Sequence, residues 1–281
     1  MDIGMNKSFF KVFSKVAGFF TPFHALKRTK RLEKLLFTSI PKCGTHLLLR
    51  YPNIVGFEGG LFKKRSASNE LLTHVSNLKR GQYCAFHYYW TENLSKIINN
   101  RGIRVVFLYR DPRAQICSNL HWVMKRKDHL LHVLFAQHLK TNEERMIRLI
   151  KGVPPDELSL IPARADRQGI EGPGIKCRYN AYTRWLEESH CYAVRYEDLV
   201  GPKGGGSSEK QLQVVRELIA FTGTPKGQLT SEEVAASLFD ERANTFREGQ
   251  IDSWRKDFTP ELHNLFLQEA GGLLTQLGYA P

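Results

Sequence analysis

The chain has 281 residues, 42% of them apolar and 25% charged. These are the fractions of an ordinary globular protein, long for one domain but within the range of single α/β domains, and they exclude a chain too polar to build a core. A formal charge of +13, from 41 Lys+Arg against 28 Asp+Glu, fits either a soluble protein with a basic tail or a polyanionic partner, and charge alone does not choose. Five cysteines without a CxxC pair read as reduced thiols and exclude the usual structural zinc spacing.

Residues 1–33 stand apart as a basic, amphipathic N-terminal segment. Phe9, Phe10, Val12, Phe13, Val16, Phe19 and Phe20 recur at helical spacing between Lys7, Lys11 and Lys15, and Lys27-Arg28-Thr29-Lys30-Arg31 follows. About 20 uninterrupted apolar residues are needed to span a bilayer, and Lys11 and Lys15 interrupt this run. Residues 7–31 therefore suit contact with a membrane surface, or a helix packed on the domain. A signal peptide fits poorly because no small-residue cleavage site follows.

An apolar run of strand length, Leu35-Leu36-Phe37-Thr38-Ser39-Ile40, stops at Pro41, turns through Lys42-Cys43-Gly44 and re-enters an apolar run, Leu47-Leu48-Leu49, that ends before Pro52. Strand, glycine turn and helix together make an anion site, because the first helical N–H groups lack partners and the helix dipole adds positive charge. Lys42 adds a full charge, and the Thr45 hydroxyl can cap the helix or hold an anion. Read alone, a Pro-Lys-Cys-Gly stretch is more often just a turn. It is not GxxxxGK[ST], since its Lys precedes the Gly.

Further strands are expected at Gln82–His87, Ile103–Tyr109 and Cys191–Tyr196. A helix from Thr91 closes at Asn100-Arg101-Gly102. Asp111 and Pro112 are good N-cap and first helical residues for a helix running towards Lys127. Between 128 and 190 the pattern is mostly helical, broken by Gly/Pro loops at 152–155 and 169–174. Gly204-Gly205-Gly206-Ser207-Ser208 reads as a flexible connector, followed by a helix carrying Leu212, Val215, Leu218, Ile219 and Phe221, and by another from Pro260 to Leu277. Strands alternating with helices predict an α/β fold, a central parallel sheet flanked by helices. His129, His132 and His138 fall in one helical stretch without a carboxylate or Cys partner, so no metal site is expected; Tyr182 and Trp185 read as core.

Arg110 sits at a strand-to-helix junction and Ser118 two turns into the following helix; a guanidinium and a hydroxyl so placed can share one phosphate. Four segments in order then carry a resemblance. Pro41-Lys42-Cys43-Gly44-Thr45 resembles the phosphosulfate loop of the sulfotransferases that use 3′-phosphoadenosine 5′-phosphosulfate. Arg110 with Ser118 is similar to that family's 3′-phosphate site. Tyr196-Glu197-Asp198-Leu199 resembles its Tyr-Glu-Asp-Leu strand end, and Arg247-Glu248-Gly249 with Trp254 its Arg-Lys-Gly…Trp loop over the 3′-phosphate.

The resemblance implies a P-loop-like nucleotide-binding fold over residues 34–281 and transfer of a sulfonate group from that donor to an acceptor hydroxyl. It implies Lys42 at the bridging oxygen of the donor and His87 as catalytic base. Cys43, Gly44, Thr45 and His46 would surround the sulfate and 5′-phosphate, with Arg110, Ser118, Arg247, Glu248 and Gly249 at the 3′-phosphate and Tyr196 against the nucleotide. Cys43 stands in for a Ser, and a helix N-terminus can make such a thiol reactive. No metal is implied. The acceptor would be a small-molecule, carbohydrate or lipid hydroxyl shaped by segments 50–80 and 125–178; no nucleic acid is expected, and the chain would be cytoplasmic or peripheral at a membrane.

The departures mark a divergent member. His46-Leu47 stands for Thr-Trp, so the adenine-stacking aromatic is missing; Glu248 stands for a Lys; Ala85 stands for a second active-site Lys. Arg255, Thr259, Pro260 and Asn264 only partly fit the family's dimer motif, which leaves the oligomeric state open. Two other readings remain: a binding module of this fold without turnover, kept alive by Glu248 and Ala85, and a nucleotide-dependent kinase, weakened by the absent GxxxxGK[ST].

Overall fold

A computed structural model describes residues 32–61, 68–161, 173–224, 229–239 and 249–281. The N-terminal segment, Arg247, Glu248 and most of the 169–174 loop lie outside them. Strands β1 (Lys34–Ser39), β2 (Glu58–Leu61), β3 (Gln82–Phe86), β4 (Ile103–Tyr109) and β5 (Cys191–Arg195) form one sheet in the order β2-β3-β1-β4-β5. Every pairing is parallel. The α/β expectation therefore holds, with β1 at the centre.

Between the strands run α1 (Thr45–Val55), α2 (Ser68–Ser76), α3 (Glu92–Arg101), α4 (Pro112–Lys125), α5 (Asn142–Lys151) and α6 (Ile175–Thr183). After β5 come a single turn at Tyr196–Leu199, then α7 (Ser208–Thr222), α8 (Ser231–Leu238) and α9 (Pro260–Leu277). Strand alternation sends successive side chains to opposite faces. Leu36, Cys84, Val105 and Phe107 pack with α2–α6 and α9, while Leu35, Phe37, Val106, Leu108 and Val194 pack with α1, α7 and α8. Both faces are buried, which is why β1 and β4 read as continuous apolar runs.

Several local expectations change. The helix after the loop does not stop before Pro52 but runs through it to Val55. Proline removes one helical N–H donor, but its carbonyl still closes the helix, accepting the N–H groups of Gly56 (3.0 Å) and Phe57 (2.8 Å). β2 was not expected, since Gly59 and Gly60 are poor strand residues; a Cβ on Gly59 would lie 1.9 Å from the Tyr83 carbonyl oxygen, so only glycine lets β2 approach β3. The helix from Pro112 ends at Lys125, not Lys127. His129 lies in a turn while His138 ends a short π-helix, Leu134–His138, so the three histidines do not share one helix. No group of metal-ligating side chains is found among the described residues.

The glycine stretch at 204–206 is a packed turn rather than a flexible connector. Gly206 N–H donates to the Gly201 carbonyl (2.8 Å), and Ile251 N–H to the Gly204 carbonyl (3.0 Å). A Cβ on Gly204 would come within 2.6 Å of the Gly249 carbonyl oxygen. Glycine is needed there because two backbones touch, and the contact brings residues 249–251 back to the strand ends.

Candidate functional site

The register of the sheet assembles the site. β1 and β3 pair as far as Thr38 with Phe86, so Ser39 and His87 leave their strands side by side. β1 and β4 pair as far as Ser39 with Leu108, and β4 and β5 as far as Tyr109 with Arg195. The next residues, Arg110 and Tyr196, therefore also leave together. His87, the Lys42 loop, Arg110 and Tyr196 stand in a row along the carboxyl ends of β3, β1, β4 and β5. β1 is where the chain order reverses, the place where open parallel sheets bind ligands.

The loop itself is tightly wound. Lys42 and Gly44 both have left-handed backbones, φ 70° and 98°. Cys43 N–H donates to the Ile40 carbonyl (3.2 Å), and the first intrahelical bond runs from Leu48 N–H to the Gly44 carbonyl (3.2 Å). The N–H groups of Thr45, His46 and Leu47 precede that bond, so the helix dipole presents them to an anion. Gly44 is the N-cap and no side chain caps the helix, so Thr45 does not cap it; its hydroxyl meets the Ser39 hydroxyl at 2.7 Å. The buried amide of Gln115, from α4, donates to the Pro41 carbonyl (2.9 Å) and braces the loop from below.

A Cβ on Gly44 would lie 2.5 Å from Cδ2 of Tyr196. Gly44→Ala should therefore cost about 1–3 kcal/mol in backbone strain alone, with the ring clash added to it. A melting curve should show the loss.

Lys42 is half-buried, its Nζ 4.1 Å from the centre of the Trp122 ring on α4. Burial pulls its pKa down to about 8, and the charges of Lys125 and Arg110 push the same way, against an opposing effect of Cys43. Arg110 lies 4.2 Å over the Tyr196 ring and donates through Nη2 to the Gln250 carbonyl (2.9 Å). Its Nε is buried without a hydrogen-bond partner among the described residues. Tyr196 in turn donates to the Gly249 carbonyl (2.8 Å). The loop, Arg110, Tyr196 and Gly249 thus converge. Ser118 is half-buried on α4, and no hydrogen bond joins it to Arg110 among the described residues.

His87 is fixed by its neighbours. Nδ1 lies 3.0 Å from the Ser39 carbonyl and 3.2 Å from the Ser39 hydroxyl. A carbonyl only accepts, so Nδ1 carries the proton and Nε2 is the basic nitrogen. Burial lowers the pKa below the usual imidazole value; His46 and Lys42 add to this and the Ser39 bond opposes it. His87 is therefore neutral at pH 7. His46 is exposed, its pKa lowered by partial desolvation and then by Lys42.

Cys43 is fully buried and burial pushes its thiol up to about 12, so the helix N-terminus does not make it reactive; its Sγ lies 3.7 Å from the Tyr179 hydroxyl. Trp254, at the end of the loop motif, is a packed side chain. It is 4% exposed, under the Arg113 guanidinium (4.1 Å) and stacked on His263, where it anchors α9. Sequence reasoning missed Ser39, Trp122, Lys125 and Tyr179. The first three lie within about two helical turns of recognised positions, but nothing in their residue types singles them out.

No protein-family model matches the sequence, and no curated protein sequence is significantly similar to it. Solved structures do match. A mouse sulfotransferase, SULT7A1, complexed with PAP superposes with a TM-score of 0.59 at 15% identity, covering 88% of this chain and 89% of that one. Retinol dehydratase in complex with androsterone and inactive cofactor PAP gives a TM-score of 0.52 at 12% identity, covering 86% and 80%. The five-stranded parallel sheet and its flanking helices are the sulfotransferase fold.

Proposed function

We propose that this site binds 3′-phosphoadenosine 5′-phosphosulfate and transfers its sulfonate group to an acceptor hydroxyl. The observation that carries the reading is the row of strand ends: a neutral His87 with Nε2 free, next to an anion loop with Lys42, next to Arg110 with a buried donor unused. The two solved neighbours of this fold described above are complexes with PAP, which supports a donor of this class. The residues present fit it. The charges of Lys125 and Arg110 both act on Lys42 and lower its pKa, and that repulsion is relieved by a polyanion.

The donor supplies an activated sulfonate whose bridging oxygen leaves as phosphate. The N–H groups of Thr45, His46 and Leu47 receive the negative groups at the helix end, while Cys43 and Gly44 shape the turn. Lys42 sits where it steadies the charge that collects on the leaving oxygen. His87 Nε2 takes the proton from the acceptor hydroxyl as its oxygen forms a bond to sulfur and the bond from sulfur to the bridging oxygen breaks. In this reading Arg110 and Ser118 take the 3′-phosphate and Tyr196 the nucleotide, with Arg247, Glu248 and Gly249 assigned to the 3′-phosphate by the motif alone. The reading covers residues 34–281 as one domain and a small-molecule, carbohydrate or lipid hydroxyl as acceptor. Among the described residues no helix is long and apolar enough to cross a membrane.

Adenosine 3′,5′-bisphosphate should raise the melting temperature, and AMP should do so far less. A ligand that binds only the native state stabilises it by mass action, and the unpartnered Nε of Arg110 is the donor that a second phosphate would take up. Equal shifts with the two nucleotides would remove the 3′-phosphate assignment.

A further inference from the structure

Past the last ladder bonds, the segments carrying Arg110 and His87 have left the sheet, and no strand holds their carbonyls. Helix α6 and the turn after it reach them instead. Tyr179 donates its hydroxyl to the Arg110 carbonyl (2.8 Å), and Tyr182 donates to the His87 carbonyl (3.2 Å). Trp185 donates its indole N–H to the carbonyl of Tyr88, the residue after the base (3.1 Å). Positions 179, 182 and 185 are three apart, the spacing of neighbours on one helical face, and all three side chains are at most 1% exposed.

The helix that carries them is itself pinned. Gly174, just before α6, is packed so closely that a Cβ there would lie 2.3 Å from the Ile150 carbonyl oxygen. Gly152 and Pro173 form a bridge beside it. At the other end, Trp90 N–H donates to the Ala181 carbonyl (3.0 Å). Tyr179 also places its oxygen 3.7 Å from Cys43 Sγ, so one hydroxyl spans the anion loop and the Arg110 backbone. A buried Tyr or Trp usually finds some hydrogen-bond partner. Here the partners are the two peptides that present the base and the phosphate-facing guanidinium.

We propose that Tyr179 and Tyr182 are positioning residues with separate duties: Tyr179 sets the Arg110 side of the site, and Tyr182 sets the His87 side. The assignment of those two sides rests on the functional reading above, but the contacts do not. Each Tyr→Phe change keeps the ring and its packing and removes one donor, leaving a buried carbonyl unpaired. Such a loss is expected to weaken what depends on that peptide by about tenfold.

The test uses the full chain, with Tyr179→Phe and Tyr182→Phe read by nuclear magnetic resonance at the Arg110 Nε–H and the His87 imidazole nitrogens, and by calorimetric titration with adenosine 3′,5′-bisphosphate. Tyr179→Phe should move the Arg110 signal and weaken the bisphosphate by about tenfold while leaving the His87 signals in place. Tyr182→Phe should move the His87 signals and their titration midpoint and leave bisphosphate affinity unchanged. If both variants disturb both reporters alike, or neither reporter moves, the two tyrosines are core residues only and the proposal fails. If the wild-type chain binds no bisphosphate while the two reporters still separate, the functional reading fails and the positioning roles stand.

Discussion

His87→Ala should lower turnover by roughly 10²–10⁴-fold, the usual range for loss of a general base, with bisphosphate affinity nearly intact. The separation follows from placement. His87 leaves β3 beside Ser39, its Nδ1 is occupied by the Ser39 carbonyl (3.0 Å), and only Nε2 remains to meet an acceptor. The measurement needs a rate and a binding titration together, since a rate alone does not distinguish a lost base from a lost ligand. A pH profile adds an independent check. Burial holds the His87 pKa below the ordinary imidazole value, so it stays unprotonated through neutrality, and the acid limb of kcat/KM should appear below that lowered pKa. That acid limb should vanish in His87→Ala. Near wild-type turnover of the variant on an identified acceptor would assign the base elsewhere.

Lys42→Ala should act on both quantities. Turnover should fall by about 10²–10³-fold, as for a removed electrostatic stabiliser, and the donor should bind more weakly. The pKa of Lys42 in the free chain is drawn down to about 8, so its charge is present below that pH and lost above it. Affinity for the bisphosphate should therefore decline as pH rises through about 8, and the decline should disappear in Lys42→Ala. A pH-independent affinity in the wild type would mean that the ammonium does not face the ligand. The ring of Trp122 at 4.1 Å partly offsets the desolvation of Lys42 through its π-face.

Much of this architecture was legible in the residues. Asp111 accepts the Arg113 N–H (2.8 Å) at the start of α4 as its type predicts, and Thr91 and Gly102 close α3 at its two ends. β1 and β4 declare themselves because strands buried on both faces leave no polar alternation to misread. The row of site residues was readable only through motif resemblance, since register is a long-range property and His87 carries no mark of its Ser39 neighbour. Glycine misled twice. Gly59 and Gly60 looked unlike a strand and Gly204–Gly206 like a tether, when both serve close backbone approach. Tyr182 read correctly as core and Tyr179 was not singled out; that their hydroxyls hold the Arg110 and His87 carbonyls depends on which carbonyls meet α6, which no local pattern encodes.

The central strands lie entirely inside the molecule, with Leu35, Leu36, Val105, Val106, Phe107 and Leu108 all at 0% exposure. Apolar side chains of similar volume exchange in such surroundings for less than about 1.5 kcal/mol when neighbours adjust. Most of the sheet is thus nearly free to drift under mutation, while the few polar positions beyond each strand are not. Sequence identity averages over both kinds of position, so it decays quickly in a chain built this way. At 12–15% identity to solved sulfotransferases, overall similarity is a poor ruler for this architecture, and the residues that follow the strand ends are the ones worth comparing.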